Sequence, residues 1–243
     1  MLQLDAATLG YRGHPVLHAV QLQVLAGDRL VILGPSGAGK TTLLNALYRL
    51  ARARAALIPQ PHGLVGPLTA AHNIALGRID QRPLWKNLRS LCAMPKAERE
   101  EIAAHAAPLD LADALDQAAH TLSGGQQSRV AIARALYRGG ELLLADEPCA
   151  ALDPERARAA VAALQARFAT LICTMHDVEL GLRLATRVIG VADGRICFDL
   201  PPTAVSAAQL DALYGTEGKP SAASVPAAHA VIIHPVIAPR GCL

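Results

Sequence analysis

The sequence "RLVILGPSGAGKTT", residues 29–42, is the most informative segment of the chain. Its unbroken apolar run, "LVIL", is typical of a buried parallel strand. The glycine-rich turn that follows, Gly34–Thr41, matches the pattern G-x-x-x-x-G-K-[ST], and we expect a helix from Lys40 to about Arg52. A buried strand, a glycine-rich turn and a helix in this order predict a loop whose backbone N–H groups bind phosphate.

The residues of this phosphate loop have separate predicted roles. Glycines let the backbone curl so that successive N–H groups point inward, and the helix N-terminus adds partial positive charge. Lys40 is expected to reach the outer phosphates and the Thr41 hydroxyl to ligate Mg²⁺. The predicted nucleotide-binding positions here are Gly34, Pro35, Ser36, Gly37, Ala38, Gly39, Lys40, Thr41 and Thr42.

A second apolar run, "ELLLADEP", ends in two acidic residues. Asp146 and Glu147 should emerge at the carboxyl end of the sheet, where ligands of open α/β sheets bind. We expect Asp146 to serve Mg²⁺ and Glu147 to act as the general base that polarises the attacking water.

Further polar residues follow or precede predicted strands. His176, after "LICTM", should reach the same sheet edge, where it can hydrogen-bond the γ-phosphate and orient the water. Gln60, at the end of "ALIPQ", is expected to complete the Mg²⁺ or water shell. Tyr11, ahead of the phosphate loop, can stack on adenine, although an ordinary strand tyrosine is nearly as good an interpretation.

The rest of the chain predicts an α/β fold with a mostly parallel sheet. Residues 2–11 and 19–34 are interpreted as strands, residues 124 onward as a helix, and the Asp193-Gly194 step as a hairpin turn. Residues of about 62–122 are interpreted as a helical insertion, with breaks at prolines.

Composition excludes several classes of protein. The chain has 243 residues, 52% of them hydrophobic, so it is long enough to bury a sizeable core. A net charge of +3 is too weak and scattered to indicate a nucleic-acid partner. The cysteines form no pair with metal-ligand spacing, and the N-terminus has no signal-peptide pattern.

The segment "TLSGGQQSRVAIARAL", residues 121–136, looks like a second phosphate-binding turn at the start of a helix. Together with Tyr11, the phosphate loop, Gln60, "LLLADEP", "ALD" at residues 151–153 and His176, it resembles the ATP-binding subunit of an ABC transporter. The resemblance runs from about Leu2 to Tyr214. It implies an ABC-type ATPase domain over residues 1–218, with ATP and Mg²⁺ as cofactors.

The resemblance also implies why one chain has two phosphate-binding turns. In this family the second turn faces the ATP held by another copy of the chain, so ATP joins a head-to-tail dimer. The signature positions carried over are Ser123, Gly124, Gly125 and Gln126. Asp153, in the turn after "DEP", is expected to act across the dimer interface.

One departure from the family pattern concerns the antiparallel β subdomain. Members usually carry a β-hairpin between the phosphate-loop helix and the strand that ends in glutamine, whereas here "ALYRLARARAALIPQ" joins them almost directly. We therefore expect a reduced antiparallel subdomain. Residues 61–91 and the ending "LDALYG" are similar to phosphonate-importer ATPases, which implies phosphonate or a related small anion as cargo.

The implied partners are a second copy of the chain, integral-membrane permease subunits and a periplasmic or surface substrate-binding protein. The implied location is peripheral, on the cytoplasmic side of the inner membrane. Residues 219–243 are interpreted as a flexible Pro/Ala-rich tail; its charge-free part, residues 220–239, contains prolines that argue against a membrane span.

Two other classes of protein remain as alternatives. A non-transport ABC ATPase of DNA repair would need long coiled coils between the two turns, and one of translation would need two cassettes. A small-molecule kinase with a phosphate loop would leave "LSGGQ" without a purpose. An ABC ATPase for another substrate is the nearest alternative.

Overall fold

The computed structural model describes residues 1–11 and 14–215. Strands and helices alternate through most of this length, as the apolar runs predict. The strands are Leu2–Tyr11 (β1), His14–Val24 (β2), Arg29–Leu33 (β3), Ala55–Ile58 (β4), Leu142–Asp146 (β5), Thr170–Thr174 (β6), Arg187–Ala192 (β7) and Arg195–Leu200 (β8). The α-helices are Lys40–Ala51 (α1), Ala70–Ala75 (α2), Leu84–Cys92 (α3), Lys96–Ala106 (α4), Gly124–Arg138 (α5), Pro154–Arg167 (α6), Val178–Leu184 (α7) and Ala207–Tyr214 (α8).

A six-stranded sheet in the order β4-β5-β6-β3-β7-β8 forms the centre of the fold. Its strand pairs are parallel from β4 to β7, and β8 is antiparallel to β7. A hydrophobic core lies on each face of the sheet, and successive side chains of β3 point to opposite faces. Val31 and Leu33 pack in one core, and Leu30 and Ile32 pack in the other. The mostly parallel α/β fold predicted from the sequence is confirmed. Parallel pairing brings the carboxyl ends of β3, β5 and β6 to one edge of the sheet.

The turns around the sheet agree with the sequence at one place and differ at another. The β7–β8 hairpin turns at Asp193 and Gly194, whose φ angles of 49° and 71° are those of a tight hairpin turn. The predicted strand over residues 19–34 is instead two strands, and the first begins at His14. Gly27 (φ 88°) and the bond from Leu25 N to Asp28 Oδ2 (2.9 Å) close the turn between them. Asp and Gly are residues that favour such turns, a signal that the apolar flanks obscured.

The antiparallel part of the fold is small. Strands β1 and β2 pair only with each other in the described residues. Helix α1 ends at Ala51 and β4 begins at Ala55, so the connection between them has no room for a hairpin. The reduced antiparallel subdomain predicted from the sequence is therefore present. Its apolar side chains share a core with α1, which includes Leu4, Leu17 and Leu43.

The segment predicted as a helical insertion contains α2, α3 and α4, with short 3₁₀ turns after α2 and after α4. Pro83 and Pro95 stand directly before α3 and α4, so these prolines start helices rather than interrupt them. The two ends of the insertion meet where Thr69 forms an antiparallel bridge with Ala118. Its exact boundaries stay a prediction.

In the ranges 1–11 and 14–215, no helix is both long enough and apolar enough to cross a lipid bilayer. The proposed tail, residues 219–243, lies outside the described residues.

Candidate nucleotide-binding site

The phosphate loop connects β3 to α1 and depends on glycine at close approaches. A Cβ on Gly34 would lie 2.0 Å from the carbonyl oxygen of Val191, and one on Gly39 (φ 102°) would lie 2.9 Å from the side chain of Leu17. The backbone can therefore follow this path only without side chains at these positions. Helix α1 starts directly after Gly39, which gives it no side-chain cap. Its first N–H groups, which have no partner within the helix, are therefore available to an anion.

Lys40 is a buried cation held inside the loop. Its Nζ donates to the carbonyl oxygens of Gly34 (2.8 Å) and Pro35 (2.9 Å). Burial lowers the pKa of Lys40, while the negative charges of Glu147 and Asp146 act in the opposite direction. Within the loop, Ala38 and Thr42 are also buried, whereas Ser36 is exposed.

Asp146 ends β5 and faces two hydroxyl groups. Its Oδ2 accepts from Thr41 Oγ1 at 2.7 Å and its Oδ1 accepts from Thr174 Oγ1 at 2.6 Å. The structure thus brings Asp146 and Thr41 together, as the sequence predicts. Thr174 was missed by sequence reasoning. Its position follows from the β5–β6 register of the structure, in which Asp146 and Thr174 are direct partners.

Glu147 lies at the centre of the site, and both of its carboxylate oxygens have polar neighbours. His176 Nε2 lies 3.2 Å from Oε1, and Gln60 Nε2 donates to Oε2 at 3.1 Å. The Glu147 side chain is 11% exposed, and that of His176 is 60% exposed. The backbone of Glu147 has a φ of 50°, in the left-handed region. Three residues from three separate strand ends therefore converge as the sequence predicts.

The oxygen donors of this site fit magnesium. Thr41 supplies a hydroxyl, Asp146 a carboxylate and Gln60 a side-chain amide, all groups that carry the hard oxygen ligands preferred by Mg²⁺. Protein sites for Mg²⁺ commonly provide one or two carboxylates and leave the other positions to phosphate and water. The donor set suits that pattern; its assignment as the metal site stays a proposal.

The signature turn, Ser123–Gln126, opens α5 with a reciprocal cap. Ser123 Oγ accepts from Gln126 N at 3.2 Å, and Gln126 Oε1 accepts from Ser123 N at 2.9 Å. A Cβ on Gly125 would lie 3.0 Å from the carbonyl oxygen of Ala151, so the turn packs closely on the segment after "DEP". Among residues 1–11 and 14–215, no hydrogen bond joins the signature turn to the phosphate loop of the same chain.

Two further predicted site residues, Asp153 and Tyr11, each have a hydrogen-bond partner on a helix. Asp153 caps α6: its Oδ1 accepts from Arg156 N at 3.0 Å, and this backbone bond is the main reason that the pKa of Asp153 is lowered. The Tyr11 hydroxyl accepts from Asn45 Nδ2 at 2.9 Å, which tethers the ring to α1. Asn45 was also missed; it lies one helical turn after Thr41.

Comparisons with known proteins agree with this geometry. A family model described as "ABC transporter" matches residues 17–150. A "Phosphonates import ATP-binding protein" of Pseudomonas aeruginosa strain UCBPP-PA14 is 39% identical, over 96% of this chain and 98% of that protein. A protein with the same description from Rhodopseudomonas palustris is 34% identical, over 93% of this chain and 94% of its own length.

Solved structures agree as well. The dimeric structure of MJ0796, described as a bacterial ABC transporter cassette, superposes with a TM-score of 0.73 at 26% identity and covers 83% of this chain and 99% of that one. The same cassette in a post-hydrolysis state with ADP and Pi gives a TM-score of 0.71 over the same shares. The phosphate loop, the acidic strand end and the signature turn all lie within residues 17–150, the range that the family model matches. The chain therefore belongs to the ABC transporter family, as an ATP-binding subunit.

Proposed function

We propose that this chain hydrolyses ATP to power the import of phosphonate or a related small anion, as a dimer on a separate membrane permease. The observation that carries the hydrolysis is the carboxylate of Glu147, held on one oxygen by His176 and on the other by Gln60. The cargo is supported by the bacterial relatives, which are named as phosphonate import proteins and match nearly the whole chain. Substrate choice in such systems rests with other subunits, so the relatives support a cargo class only.

Binding of the phosphates falls to the loop and Lys40. The Lys40 ammonium is held by two neutral carbonyl groups, and burial makes its charge costly. Phosphate oxygens are stronger acceptors for a charged donor than carbonyl oxygens are. ATP therefore gains from Lys40 as well as from the N–H groups at the start of α1. Tyr11, tethered by Asn45, is placed to stack on the adenine.

The residues that would hold magnesium are Thr41, Gln60 and Asp146. The ion, when bound, neutralises part of the charge on the phosphates. Asp146 already accepts from two hydroxyl groups, so its carboxylate orientation is fixed by the protein.

Proton transfer is assigned to Glu147. As general base, it takes a proton from the water that attacks the γ-phosphate. His176 is exposed enough to contact both that water and the γ-phosphate, while its Nε2 lies beside Glu147. Gln60 fixes the other oxygen of the carboxylate. The three side chains together hold the base and the water in one orientation.

The second half of the site is supplied by another copy of the chain. The signature positions Ser123, Gly124, Gly125 and Gln126 lie at the start of α5. Within the part of the chain that the structure describes, they have no hydrogen bond to the phosphate loop, which supports their use by a partner copy. ATP bridges the two copies, and hydrolysis loosens them. Asp153, next to the signature turn at the start of α6, is assigned a contact across this interface.

Contact with the permease is assigned to the helical insertion. Helix α3 exposes large apolar side chains, with Leu84 73%, Trp85 59% and Leu88 53% exposed. Exposed apolar side chains grouped on one helix support a protein contact. We assign residues 1–218 to the cassette, and the chain to the cytoplasmic face of the membrane, with a substrate-binding protein as the further partner.

The role of Glu147 is tested with Glu147→Gln, which keeps the size of the side chain but removes the base. We expect nucleotide binding to persist, turnover to fall by about 10²- to 10⁴-fold, and an ATP-bound dimer to accumulate. Phosphate release and gel filtration with Mg-ATP measure these effects. A Glu147→Gln variant with the turnover of the natural chain would remove Glu147 from this role.

The cargo is tested in vesicles that contain the permease and the binding protein. We expect the ATPase rate to rise when an alkylphosphonate is added outside, because cargo-loaded binding protein favours the closed dimer. Sulfate serves as the control anion. Equal stimulation by sulfate would contradict the assignment of phosphonate.

A further inference from the structure

Thr174 lies at the end of β6 with a hydroxyl that contacts both acidic residues of the site. Its side chain has 0% exposure. Thr174 Oγ1 lies 2.6 Å from Asp146 Oδ1 and 2.9 Å from the backbone nitrogen of Glu147. The family motifs that indicated the site do not include this threonine, and its position follows from the strand register.

The chemistry of the neighbours fixes the direction of both bonds. A carboxylate only accepts and a backbone N–H only donates, so the hydroxyl donates its proton to Asp146 and accepts from Glu147 N. Bonds to an ionised carboxylate are shorter and stronger than bonds between neutral groups. As a β-branched residue, threonine is also restricted about χ1, which keeps the hydroxyl in place. One hydroxyl therefore ties the carboxylate of Asp146 to the backbone of the next residue.

The backbone at Glu147 needs such support. Its φ of 50° is a left-handed conformation, which is unfavourable for a residue with a Cβ. The Glu147 N–H donates both to Thr174 Oγ1, at 2.9 Å, and to the carbonyl oxygen of Thr174, at 3.2 Å. This turn directs the Glu147 side chain to His176 and Gln60. A small rotation at the turn would move the carboxylate away from both.

We propose that Thr174 is a positioning residue for ATP hydrolysis, because its hydroxyl holds the Asp146 carboxylate toward Thr41 and the Glu147 backbone in its left-handed turn. The inference rests on the proposed function of Asp146 and Glu147. Thr174 touches neither phosphate nor water in this role. It acts through the two acidic residues.

A threonine at the other end of the same strand provides a matched control. Thr170 Oγ1 also accepts a backbone N–H, from Gly27 at 2.9 Å, but it lies away from the sheet edge with the site. Removal of a hydroxyl that merely accepts a backbone N–H should have effects like those of removing the Thr170 hydroxyl. A positioning role predicts a difference between the two.

The experiment compares Thr174→Val, Thr174→Ser and Thr170→Val. In the protein without added nucleotide or metal, hydrogen exchange of the Glu147 amide reports the contact directly. We expect faster exchange in Thr174→Val only. For ATP hydrolysis we expect kcat to fall about 10- to 100-fold in Thr174→Val, with metal-free nucleotide affinity unchanged. Thr174→Ser, which keeps the hydroxyl, should restore both the protection and kcat.

Three results would overturn the proposal. They are a Thr174→Val variant with natural kcat, equal losses in Thr174→Val and Thr170→Val, and no rescue by serine. Should Thr174→Val not fold, Thr174→Ala takes its place, because alanine removes the hydroxyl without adding a methyl group to the contact. Failure of the proposed function would be seen separately, because Glu147→Gln would then remain active. Hydrogen exchange of the Glu147 amide tests the Thr174 contact independently, since it does not depend on catalysis.

Discussion

Two helix N-termini in this chain are suited to phosphate, and they differ in how their own backbone is satisfied. At α1 the residue before the helix is Gly39, and no side chain caps the first N–H groups. At α5 the residue before the helix is Ser123, and it shares a reciprocal cap with Gln126. The first terminus also has the buried Lys40 beside it. The second has no comparable cation in its first turn.

The two caps indicate which terminus binds the phosphates first and which one completes the site. The first N–H groups of a helix have no partner within the helix, and an anion can satisfy them. Helix α1 leaves these groups for a ligand, whereas α5 satisfies part of them itself. The α5 terminus therefore gains less from an anion, and it suits a phosphate that is already bound elsewhere. This asymmetry supports two copies that share each nucleotide.

The largest effect is expected at the first terminus, from Lys40→Ala. Loss of the charged donor should reduce kcat/KM for ATP by about 100-fold or more, because no other cation of the loop replaces it. Folding should be retained, since the change removes a buried charge. Calorimetric titration with Mg-ATP and phosphate release measure the effect. Lys96→Ala, on the exposed surface of α4, is the control, and natural ATP affinity in Lys40→Ala would contradict the assignment.

The next effect separates the two termini. Ser123→Arg places a large cation at the signature turn, which should abolish ATP-dependent dimerisation and lower turnover at least about 10-fold, while one chain still binds ATP. Helix α8 supplies a matched control, because Ser206 and Gln209 form the same reciprocal cap. Ser206→Arg should lose only the cap. Gel filtration and turnover are measured in both; similar turnover in the two variants would exclude a special role for the signature turn.

The smallest effect concerns the cap itself. Gln126→Ala and Gln209→Ala each remove one half of a reciprocal cap, so each should lower the free energy of unfolding by about 1 kcal/mol. For a chain of this size the midpoint of thermal unfolding should fall by about 2–4 °C. Only Gln126→Ala should also change turnover. A stable Gln126→Ala variant beside a destabilised Gln209→Ala variant would show that the α5 cap contributes nothing to folding.

Features set by local sequence were predictable. The apolar run of β3, the glycines of the phosphate loop and the acidic end of β5 each have a pattern that needs no knowledge of neighbours. Parallel pairing then places the ends of β3, β5 and β6 together, so Asp146, Glu147 and His176 were expected at one edge. The fold is confirmed, whereas the catalytic roles of these three residues stay proposals.

Features set by register were not predictable. Thr174 contacts Asp146 only because β5 and β6 align these two positions, and no pattern in either strand specifies that alignment. The contact between Asn45 on α1 and Tyr11 on β1 likewise depends on how two separate elements pack, which neither local sequence specifies. The break between β2 and β3 was missed because apolar, strand-like segments flank the Gly27–Asp28 turn on both sides.

The exposure of Trp85 on α3 has a practical consequence. The chain contains a single tryptophan, so its tryptophan fluorescence comes from one position, Trp85 in the helical insertion. A solvated indole emits at longer wavelength than one packed against apolar groups, and the intrinsic emission spectrum therefore reports whether this helix is covered. Assembly with a permease can be followed optically and in real time, without attaching a dye to the protein.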